Sequence, residues 1–157
     1  MGEKMKVSDS MTEQIYQVRP EYLNGAGRLF GGKLMQWIDE VAGLVGIRHT
    51  RGDVVTASVD NLKFICGAYE KDLIVLTGRV TYVGTTSFEV RVDAYKEDLQ
   101  GMRYPINRAY LTMVAIDTDG TPRTVPPIEI ETESERAEWE AAKKRREYRL
   151  HRNREGF

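Results

Sequence analysis

The chain has 157 residues but only one cysteine and two histidines. The single cysteine, Cys66, excludes an intramolecular disulfide and makes a cysteine-based zinc site implausible, so we expect it to be a small apolar filler. Neither His49 nor His151 is spaced with a carboxylate as a metal site requires. His49 is expected to close a helix, where a cationic ring suits the helix dipole. The sequence therefore offers no metal-binding motif.

The sequence also lacks a large net charge and a long apolar run. The formal net charge is −1, so no global field attracts nucleic acid, a membrane surface or an acidic substrate. No apolar run reaches the roughly 18 residues of a membrane helix, and the charged N-terminus lacks the apolar core of a signal peptide. We therefore expect a cytoplasmic protein of one domain, with no nucleic-acid partner and no membrane partner.

The periodicity of the sequence predicts one long internal helix and five strands. The helix is expected from Phe30 to about Arg48, a loop is expected at about 97–107, and the polar residues 1–10 are expected to be disordered. A bulge near Asp60-Asn61 would explain why the apolar positions of one strand slip out of phase. The strands are expected in the segments EQIYQV, VVTASVDNLKF, LIVLTGRVTYV, SFEVRVDAY and AYLTMVAI.

Short connections between successive strands predict an antiparallel sheet, and the internal helix must cover one of its faces. The predicted fold class is therefore α+β, with one long helix wrapped by an antiparallel sheet of about five strands. From about Glu131 the composition changes to an acidic block followed by a basic one, with no glycine before Gly156. This charge pattern predicts a charged C-terminal helix at residues 131–157. The domain that precedes it is expected at residues 11–130.

The charge pattern of this C-terminal helix has more than one interpretation. Acid at its start and base at its end complement the helix dipole, which favours a solvated surface helix. The alternative is that its basic end contacts a phosphate-bearing ligand or a partner subunit. A nucleic-acid patch is weaker, because the segment lacks interleaved aromatic residues beyond Tyr148 and the whole chain is not basic.

Successive residues of a helix are rotated by about 100°, which places an apolar stripe and a polar stripe on the internal helix. Asp39 is an acid that belongs to neither stripe. Asp39 lies instead on a seam lined largely by glycine. Because glycine inside a helix costs roughly 0.5–1 kcal/mol relative to alanine, this seam predicts close approach by a helix, a strand edge or a ligand. The apolar stripe consists of Leu34, Ile38, Ala42 and Val45, the polar stripe of Lys33, Gln36 and Glu40, and the seam of Gly32, Gly43 and Gly46.

A lone aspartate in a helix is more often paired with a cation or bonded to backbone amides, but three features favour a catalytic Asp39. The glycine seam lets a substrate reach the carboxylate. The helix start at Phe30-Gly31-Gly32 leaves free backbone N–H groups that suit an oxyanion. Asn24 lies just before that start. Together these groups form a minimal hydrolytic set of base or nucleophile, oxyanion site and orienting group, whereas no Walker or Rossmann motif accompanies the glycines.

The motif N-x-x-G-x-x-F-G-G-x-L-M-x-W-I-D-E, from Asn24 to Glu40, resembles the signature of hotdog-fold acyl-CoA thioesterases. Within this family it resembles the group that includes the bacterial YciA-like enzymes and the cytosolic acyl-CoA hydrolases. Further matches follow at 54–64, 83–87, 109–127 and 131–149. The resemblance therefore covers nearly the whole chain beyond its first ten residues.

The resemblance implies the hotdog fold, acyl-CoA thioester hydrolysis and a homodimer whose protomers pair edge to edge, often assembled further into a trimer of dimers. It makes Asp39 the catalytic aspartate and Asn24 the catalytic asparagine, contributed to each site by opposite chains. The carbonyl-binding amide is expected at the helix start, on Gly32. The substrate-binding residues that it implies are Gly31, Thr56, Gly84 and Ser87.

In this interpretation Asp39 acts as general base on a water or as a nucleophile, and no metal or redox cofactor is needed. Thr85 stands where the family usually has arginine, so Lys63, Arg79 or the arginines of the C-terminal helix are candidates for contact with the CoA phosphates. One alternative function is a non-catalytic acyl-CoA-binding or regulatory module of the same fold. Another is an acyl-thioester dehydratase or hydratase, which would need a histidine placed at this helix.

Overall fold

The computed structural model describes residues 3–157. Its central element is a long helix that follows a short strand and precedes four long strands, in the order that the sequence predicts. Within the described residues, no helix is both long and apolar enough to span a lipid bilayer. The elements are β1 Met5–Lys6, α1 Val7–Ser10, β2 Thr12–Gln17, a 3-10 turn Pro20–Tyr22, α2 Gly31–Thr50, β3 Val54–Phe64, β4 Leu73–Val83, β5 Ser87–Glu97, β6 Arg103–Ala115, β7 Ile128–Glu129 and α3 Glu133–Glu155.

The five longer strands form one antiparallel sheet in the order β2-β4-β5-β6-β3. The predicted α+β class, the antiparallel sheet of five strands and the C-terminal helix are confirmed. β3 is an edge strand of 11 residues, and only one side of its backbone is paired within the described chain. An edge strand of this length is a ready site for pairing with another chain.

Close packing joins α2 to the sheet. The predicted apolar stripe of α2 is buried, with relative exposures of 3% or less. Gly78 of β4 lies directly under the helix, where an added Cβ would stand 2.8 Å from the Val41 side chain. Gly46 of α2 lies against Phe88 of β5, where an added Cβ would stand 2.9 Å from the Phe88 ring. One glycine of the predicted seam therefore serves helix–sheet packing rather than access by a ligand.

The bulge predicted near Asp60-Asn61 is confirmed. The register between β3 and β6 shifts between Asp60 and Lys63, and Asn61 has a φ of 57°. Asparagine tolerates this left-handed conformation better than most residues. After the bulge Lys63 lies opposite Arg108 of β6, so two cations are neighbours at the end of the edge strand.

The loop predicted at about 97–107 is shorter in the structure, because β5 and β6 extend into it and leave only residues 98–102 as the connection. The Asp98 carboxylate accepts hydrogen bonds from the backbone N–H groups of Gln100 and Met102, at 2.9 Å each. An aspartate bonded to its own following backbone stabilises a tight turn. The hairpin therefore needs no long loop.

The prediction of disorder at residues 1–10 is wrong for the part that the structure describes. β1 pairs in parallel with β7, and Met5 and Val7 are buried. Arg48, near the end of α2, donates hydrogen bonds to the backbone carbonyls of Asp9 and of Met11, which directly follows the segment. Contacts with distant residues hold the segment in place, and its short polar sequence carries no periodic signal of them. Residues 1 and 2 lie outside the described residues.

The C-terminal helix α3 packs on the face of the sheet opposite α2. Arg145 forms a bidentate ion pair with the buried Glu89 of β5, at 3.1 and 2.8 Å, and its guanidinium lies 3.7 Å from the ring centroid of Tyr110. Two further arginines of α3 pair with Asp60 of β3. The helix is therefore more than the solvated surface helix that its charge pattern favours, because the residues on its inner side neutralise carboxylates of the sheet.

His49 is buried in the core rather than exposed at the end of α2, with a relative exposure of 0%. Its Nε2 lies 2.7 Å from the carbonyl oxygen of Pro126, which requires an N–H donor there. Burial lowers the pKa of His49 by more than the Pro126 carbonyl and the Asp9 carboxylate raise it. The expected cationic ring is therefore wrong, because a buried imidazole without a strong anionic partner stays neutral.

The lowered pKa of His49 predicts a loss of stability in mild acid. Below the unfolded-state pKa, about 6.5, the unfolded chain takes up a proton that the folded protein does not, so the free energy of unfolding falls as pH falls, by at most about 1.4 kcal/mol per pH unit. Urea unfolding at pH 7.5, 6.5 and 5.5 measures this slope. His49→Gln should flatten it, and His151→Gln, at an exposed histidine of α3, should not. Equal slopes in all three proteins would contradict the prediction.

Candidate active site

Asp39 lies on the side of α2 that points towards the edge strand β3. The Thr56 hydroxyl of β3 donates a hydrogen bond to Asp39 Oδ1 at 2.6 Å. The other carboxylate oxygen, Oδ2, accepts no hydrogen bond from the part of the chain that the structure describes. At Gly43, one turn further along α2, nothing occupies the space that a Cβ would enter. The Asp39 carboxylate is therefore exposed, fixed at one oxygen and free at the other, as a base acting on water needs to be.

The Asn24 side chain organises the loop that precedes α2. Its Oδ1 accepts hydrogen bonds from the backbone N–H groups of Ala26 and Arg28, at 2.9 and 3.1 Å. The Asn24 backbone N–H donates to the Arg28 carbonyl at 2.7 Å, and Gly27 allows the turn with a φ of 74°. Because two N–H donors identify the side-chain oxygen, the group left free is the Nδ2 amino group, which can only donate.

The start of α2 has no side-chain cap. Phe30 is the N-cap residue, and the Gly31 and Gly32 N–H groups have no acceptor within the described residues. The helix dipole adds partial positive charge at this end, so the two amides suit a developing oxyanion. A Cβ on Gly32 would lie 2.5 Å from the exposed Phe30 ring, which would have to shift to make room.

A cavity of about 300 Å³ opens beside this helix start. Its rim includes Asn24 and Gly31, and its floor is formed by the apolar side chains of Leu34, Ala68 and Ile106, each at most 3% exposed. No pattern in the sequence identifies these floor residues as neighbours, since they come from a helix, a loop and a strand. The remaining lining residues are Arg28, Leu29, Phe64, Ile65, Cys66 and Gly67.

Within one chain the predicted catalytic groups form two separate halves. Asp39 is bonded to Thr56 and does not line the cavity that Asn24 and Gly31 border. At a rise of 1.5 Å per residue, Gly31 and Asp39 are about 12 Å apart along the helix axis. A single thioester carbonyl therefore cannot contact both the helix-start amide and the carboxylate of the same protomer.

The structure does not bring Gly84 and Ser87 to either half. They belong to the tight turn between β4 and β5, where the Gly84 N–H donates to the Ser87 carbonyl at 2.8 Å. That turn adjoins Phe88, which packs against Gly46 in the second half of α2. Substrate binding by Gly84 and Ser87 stays a prediction that the geometry of one protomer does not explain.

Cys66 is exposed, so the expectation of an apolar filler is wrong. β3 ends at Phe64, and Cys66 falls in the loop that follows, at the rim of the cavity. Its Sγ lies 3.7 Å from the Pro105 carbonyl oxygen. No group of three or more histidine, cysteine, aspartate or glutamate side chains within residues 3–157 could hold a metal ion.

Comparison with known proteins places these features in a family. A family model described as the thioesterase superfamily matches residues 26–102. The uncharacterized acyl-CoA thioester hydrolase YkhA of Bacillus subtilis is 41% identical over 128 residues, which cover 81% of this chain and 74% of that protein. The chain belongs to the thioesterase superfamily. The hotdog-fold acyl-CoA thioesterase predicted from the motif around Asp39 is thereby confirmed at the level of the family.

Solved structures of the superfamily share the whole fold. A hexameric acyl-CoA thioesterase matches with a TM-score of 0.91 at 40% identity, over 96% of this chain and 97% of that one. An acyl-CoA hydrolase from Staphylococcus aureus, in complex with butyryl coenzyme A, coenzyme A and coenzyme A disulfide, matches with a TM-score of 0.91 at 33% identity, over 98% and 94% of the two chains. Variants of the S. aureus enzyme with alanine in place of an asparagine, an aspartate or a threonine are also similar. The match therefore includes the helix α3 as well as the sheet and α2.

Proposed function

We propose that this protein hydrolyses acyl-CoA thioesters to carboxylic acids and CoA, with Asp39 as the general base. The observation that carries the proposal is the exposed Asp39 carboxylate, held at Oδ1 by the Thr56 hydroxyl and free at Oδ2. A water at Oδ2 gives its proton to the carboxylate as its oxygen attacks the carbonyl carbon. The tetrahedral intermediate then collapses, the C–S bond breaks, and Asp39 returns the proton to the leaving sulfur.

Asn24 acts as a hydrogen-bond donor in this scheme. Its oxygen is already bonded to two loop amides, so Nδ2 is the group that can reach the substrate. A donor there polarises the thioester carbonyl, whose oxygen lies near the free amides of Gly31 and Gly32. These donors are worth most when charge develops on that oxygen in the transition state. The sequence alone leaves open whether Asn24 binds the water or the carbonyl, and the loop geometry favours the carbonyl.

The proposed active site is composite, with Asp39 and Thr56 from one protomer and Asn24 and Gly31 from its partner. Two β3 edges paired antiparallel about a two-fold axis place the start of one strand beside the end of the other. Thr56 is near the start of β3, and Phe64 ends it. Phe64 also lies 3.5 Å from the Cβ position of Gly31. This pairing therefore brings the carboxylate of one chain towards the helix start of the other.

The structural neighbours support these assignments. The alanine variants of the S. aureus enzyme replace an asparagine, an aspartate and a threonine that are spaced along that chain as Asn24, Asp39 and Thr56 are spaced along this one. The hexameric neighbour supports further assembly of the dimers, which we take to be a trimer of dimers. A cytoplasmic location is part of the proposal and rests on the sequence.

The apolar cavity beside the helix start is the proposed site of the acyl chain. A carbonyl oxygen bound at the Gly31 amide lies at the cavity rim. The thioester carbonyl carbon carries the acyl chain on one side and the CoA chain on the other. Only the apolar acyl chain gains binding free energy by burial against the floor of Leu34, Ala68 and Ile106. We expect the polar CoA chain to leave at the rim of the cavity, where Ile65 is exposed.

Substituting the cavity floor is expected to shorten the preferred acyl chain. Ala68→Leu adds apolar volume at the floor, so we expect the ratio of kcat/KM for octanoyl-CoA to that for acetyl-CoA to fall at least about tenfold, the usual scale of discrimination by chain length in an apolar pocket. Ala137→Leu, at an exposed alanine of α3, is the matched control and should leave the ratio unchanged. An equal loss with both substrates would show that the cavity holds another part of the substrate.

The activity itself is tested with purified protein and a panel of acyl-CoA substrates from acetyl to palmitoyl. Release of CoA is followed with a thiol reagent. Each molecule of a thioester hydrolase produces free CoA over many turnovers, whereas a non-catalytic acyl-CoA-binding module binds the thioester without cleaving it to CoA. Absence of turnover with every member of the panel would contradict the proposed function.

A further inference from the structure

Among residues 3–157, Arg28 is the one charged residue that lines the apolar cavity beside the start of α2. It belongs to the loop before α2, not to the β3 edge that the proposed dimer pairs. Its side chain is exposed and forms no ion pair with the part of the chain that the structure describes. Because arginine does not lose its proton in proteins, the cavity presents one cation that no carboxylate of the described chain neutralises.

The backbone and the side chain of Arg28 are both held in place at this cavity. The backbone N–H donates to Asn24 Oδ1 at 3.1 Å, and the carbonyl accepts from the Asn24 N–H at 2.7 Å. The side-chain Cδ lies 3.3 Å from the position that a Cβ would take on Gly67, and the guanidinium carbon lies 5.7 Å from the Tyr69 ring centroid. The side chain therefore extends from the loop before α2 to the loop after β3, and both loops line the cavity.

A second cation near this loop is already neutralised. Lys96 Nζ lies 6.0 Å from the same Tyr69 ring centroid, but it also forms an ion pair with the Asp72 carboxylate at 3.3 Å. No such carboxylate faces Arg28 among the described residues. Arg28 is therefore the cation of this region that is available to an anionic ligand.

A ligand that fits both the floor and Arg28 has an apolar stem and an anionic end. The planar fork of a guanidinium matches a carboxylate, which it can bind through two parallel hydrogen bonds. In the proposed function the thioester carbonyl lies at the Gly31 amide, three residues from Arg28. Three residues of chain span at most about 10 Å, so a short diacid can connect the two groups while its methylene groups cover the apolar floor.

We propose that this protein hydrolyses thioesters of CoA with dicarboxylic acids, and that Arg28 binds the terminal carboxylate of the acyl chain. The inference rests on the proposed function and names its substrate class. Arg28 is a specificity-determining residue in this scheme, because it contacts the end of the acyl chain and not the reacting carbonyl. The reaction is the same hydrolysis, with a dicarboxylic acid and CoA as products.

The test compares adipyl-CoA with its ω-methyl ester, in which the terminal carboxylate is masked and the rest of the molecule is unchanged. In the wild type, kcat/KM for adipyl-CoA should exceed that for the ester at least about fivefold, as expected for a charge-assisted hydrogen bond. Release of CoA measures both values. A wild-type ratio of one or less would overturn the proposal.

Substitutions of Arg28 test whether this residue sets the ratio. Arg28→Gln should lower it at least about fivefold, and Arg28→Glu should reverse the preference in favour of the ester, because two carboxylates repel each other. Arg146→Gln, at an exposed arginine of α3, is the matched control and should keep the wild-type ratio. An equal effect of Arg146→Gln, or a wild-type ratio in Arg28→Glu, would overturn the proposal.

The phosphates of CoA are the other anions that an arginine at this cavity could contact, and both thioesters carry them. If Arg28 binds CoA instead of the acyl chain, Arg28→Gln will lower kcat/KM for adipyl-CoA and for its ester by the same factor. The ratio then stays at its wild-type value, and this result overturns the proposal.

A binding measurement separates the carboxylate site from the proposed hydrolysis. Calorimetric titration with the two intact thioesters uses the Asp39→Asn variant if the wild type is active. If the wild type hydrolyses neither thioester, the proposed function fails, and the wild type itself is titrated. Tighter binding of adipyl-CoA than of its ester, lost on Arg28→Gln, would then still support the site. Equal affinities for the two thioesters would overturn it even in an active enzyme.

Discussion

Asp39→Asn is expected to lower kcat for acyl-CoA hydrolysis by at least about a hundredfold, the lower end of what a general base contributes. Asparagine keeps the shape of the side chain, and its oxygen can still accept the Thr56 hydroxyl, which Asp39 Oδ1 accepts at 2.6 Å. The amide nitrogen cannot take a proton from water. Because Asp39 is exposed, the substitution removes no buried contact, and the folded structure should persist.

The neighbouring acid supplies a matched control for this variant. Glu40 is also exposed, but its carboxylate accepts a hydrogen bond from Gln36 at 2.9 Å on the polar stripe of α2. Glu40→Gln should therefore retain nearly full activity. Steady-state CoA release gives kcat, and circular dichroism with thermal unfolding checks the fold. If folded Asp39→Asn keeps a tenth or more of the wild-type kcat, Asp39 is not the base.

Two inactive variants, Asn24→Ala and Asp39→Asn, are expected to regain activity when they are coexpressed. In a mixed dimer one site receives the native Asn24 from one chain and the native Asp39 from the other, while the second site receives both substitutions. Random pairing makes half of the dimers mixed, so about a quarter of all sites are intact. Specific activity should rise from about 1% or less in each variant alone to about a quarter of the wild-type value.

A second coexpression tests the same point from the opposite direction. Wild-type chains paired at random with the double variant Asn24→Ala/Asp39→Asn have no intact site in a mixed dimer if each site uses both chains. About a quarter of the sites then remain active, whereas about half remain active if each site lies within one protomer. The specific activity of the coexpressed protein, measured on the whole assembly, gives the fraction of active sites directly. About half of the wild-type specific activity here, or no recovery of activity in the first experiment, would contradict the composite site.

Much of the fold was predictable because local periodicity reports burial. The apolar stripe of α2 and the apolar face of β5 are both buried as predicted, although Glu89 and Asp93 on the polar face of β5 are buried as well. The bulge at Asn61 was visible as a slip of phase in β3. The hairpin at 98–102 and the ordered segment after residue 3 were not predicted, since contacts outside each segment stabilise them.

The site was predictable only in part. The odd position of Asp39 on the helix and the free amides at Gly31 are local features, so the sequence shows them directly. The hydrogen bond from Thr56 depends on how far α2 lies from β3. The free amino group of Asn24 depends on the fold of its loop. These distances are set by packing of the whole domain, which no single segment encodes.

The sequence by itself determined the α+β class, the central helix and its unusual acid, because these depend on residue types at regular spacing. Tertiary structure alone decided that His49 is a buried neutral ring, that Cys66 is exposed and that the inner arginines of α3 neutralise carboxylates of the sheet. It also decided that an apolar cavity opens beside the start of α2. The physical reason is that burial, ion pairing and cavity shape depend on residues far apart in the chain, and only the folded arrangement brings these together.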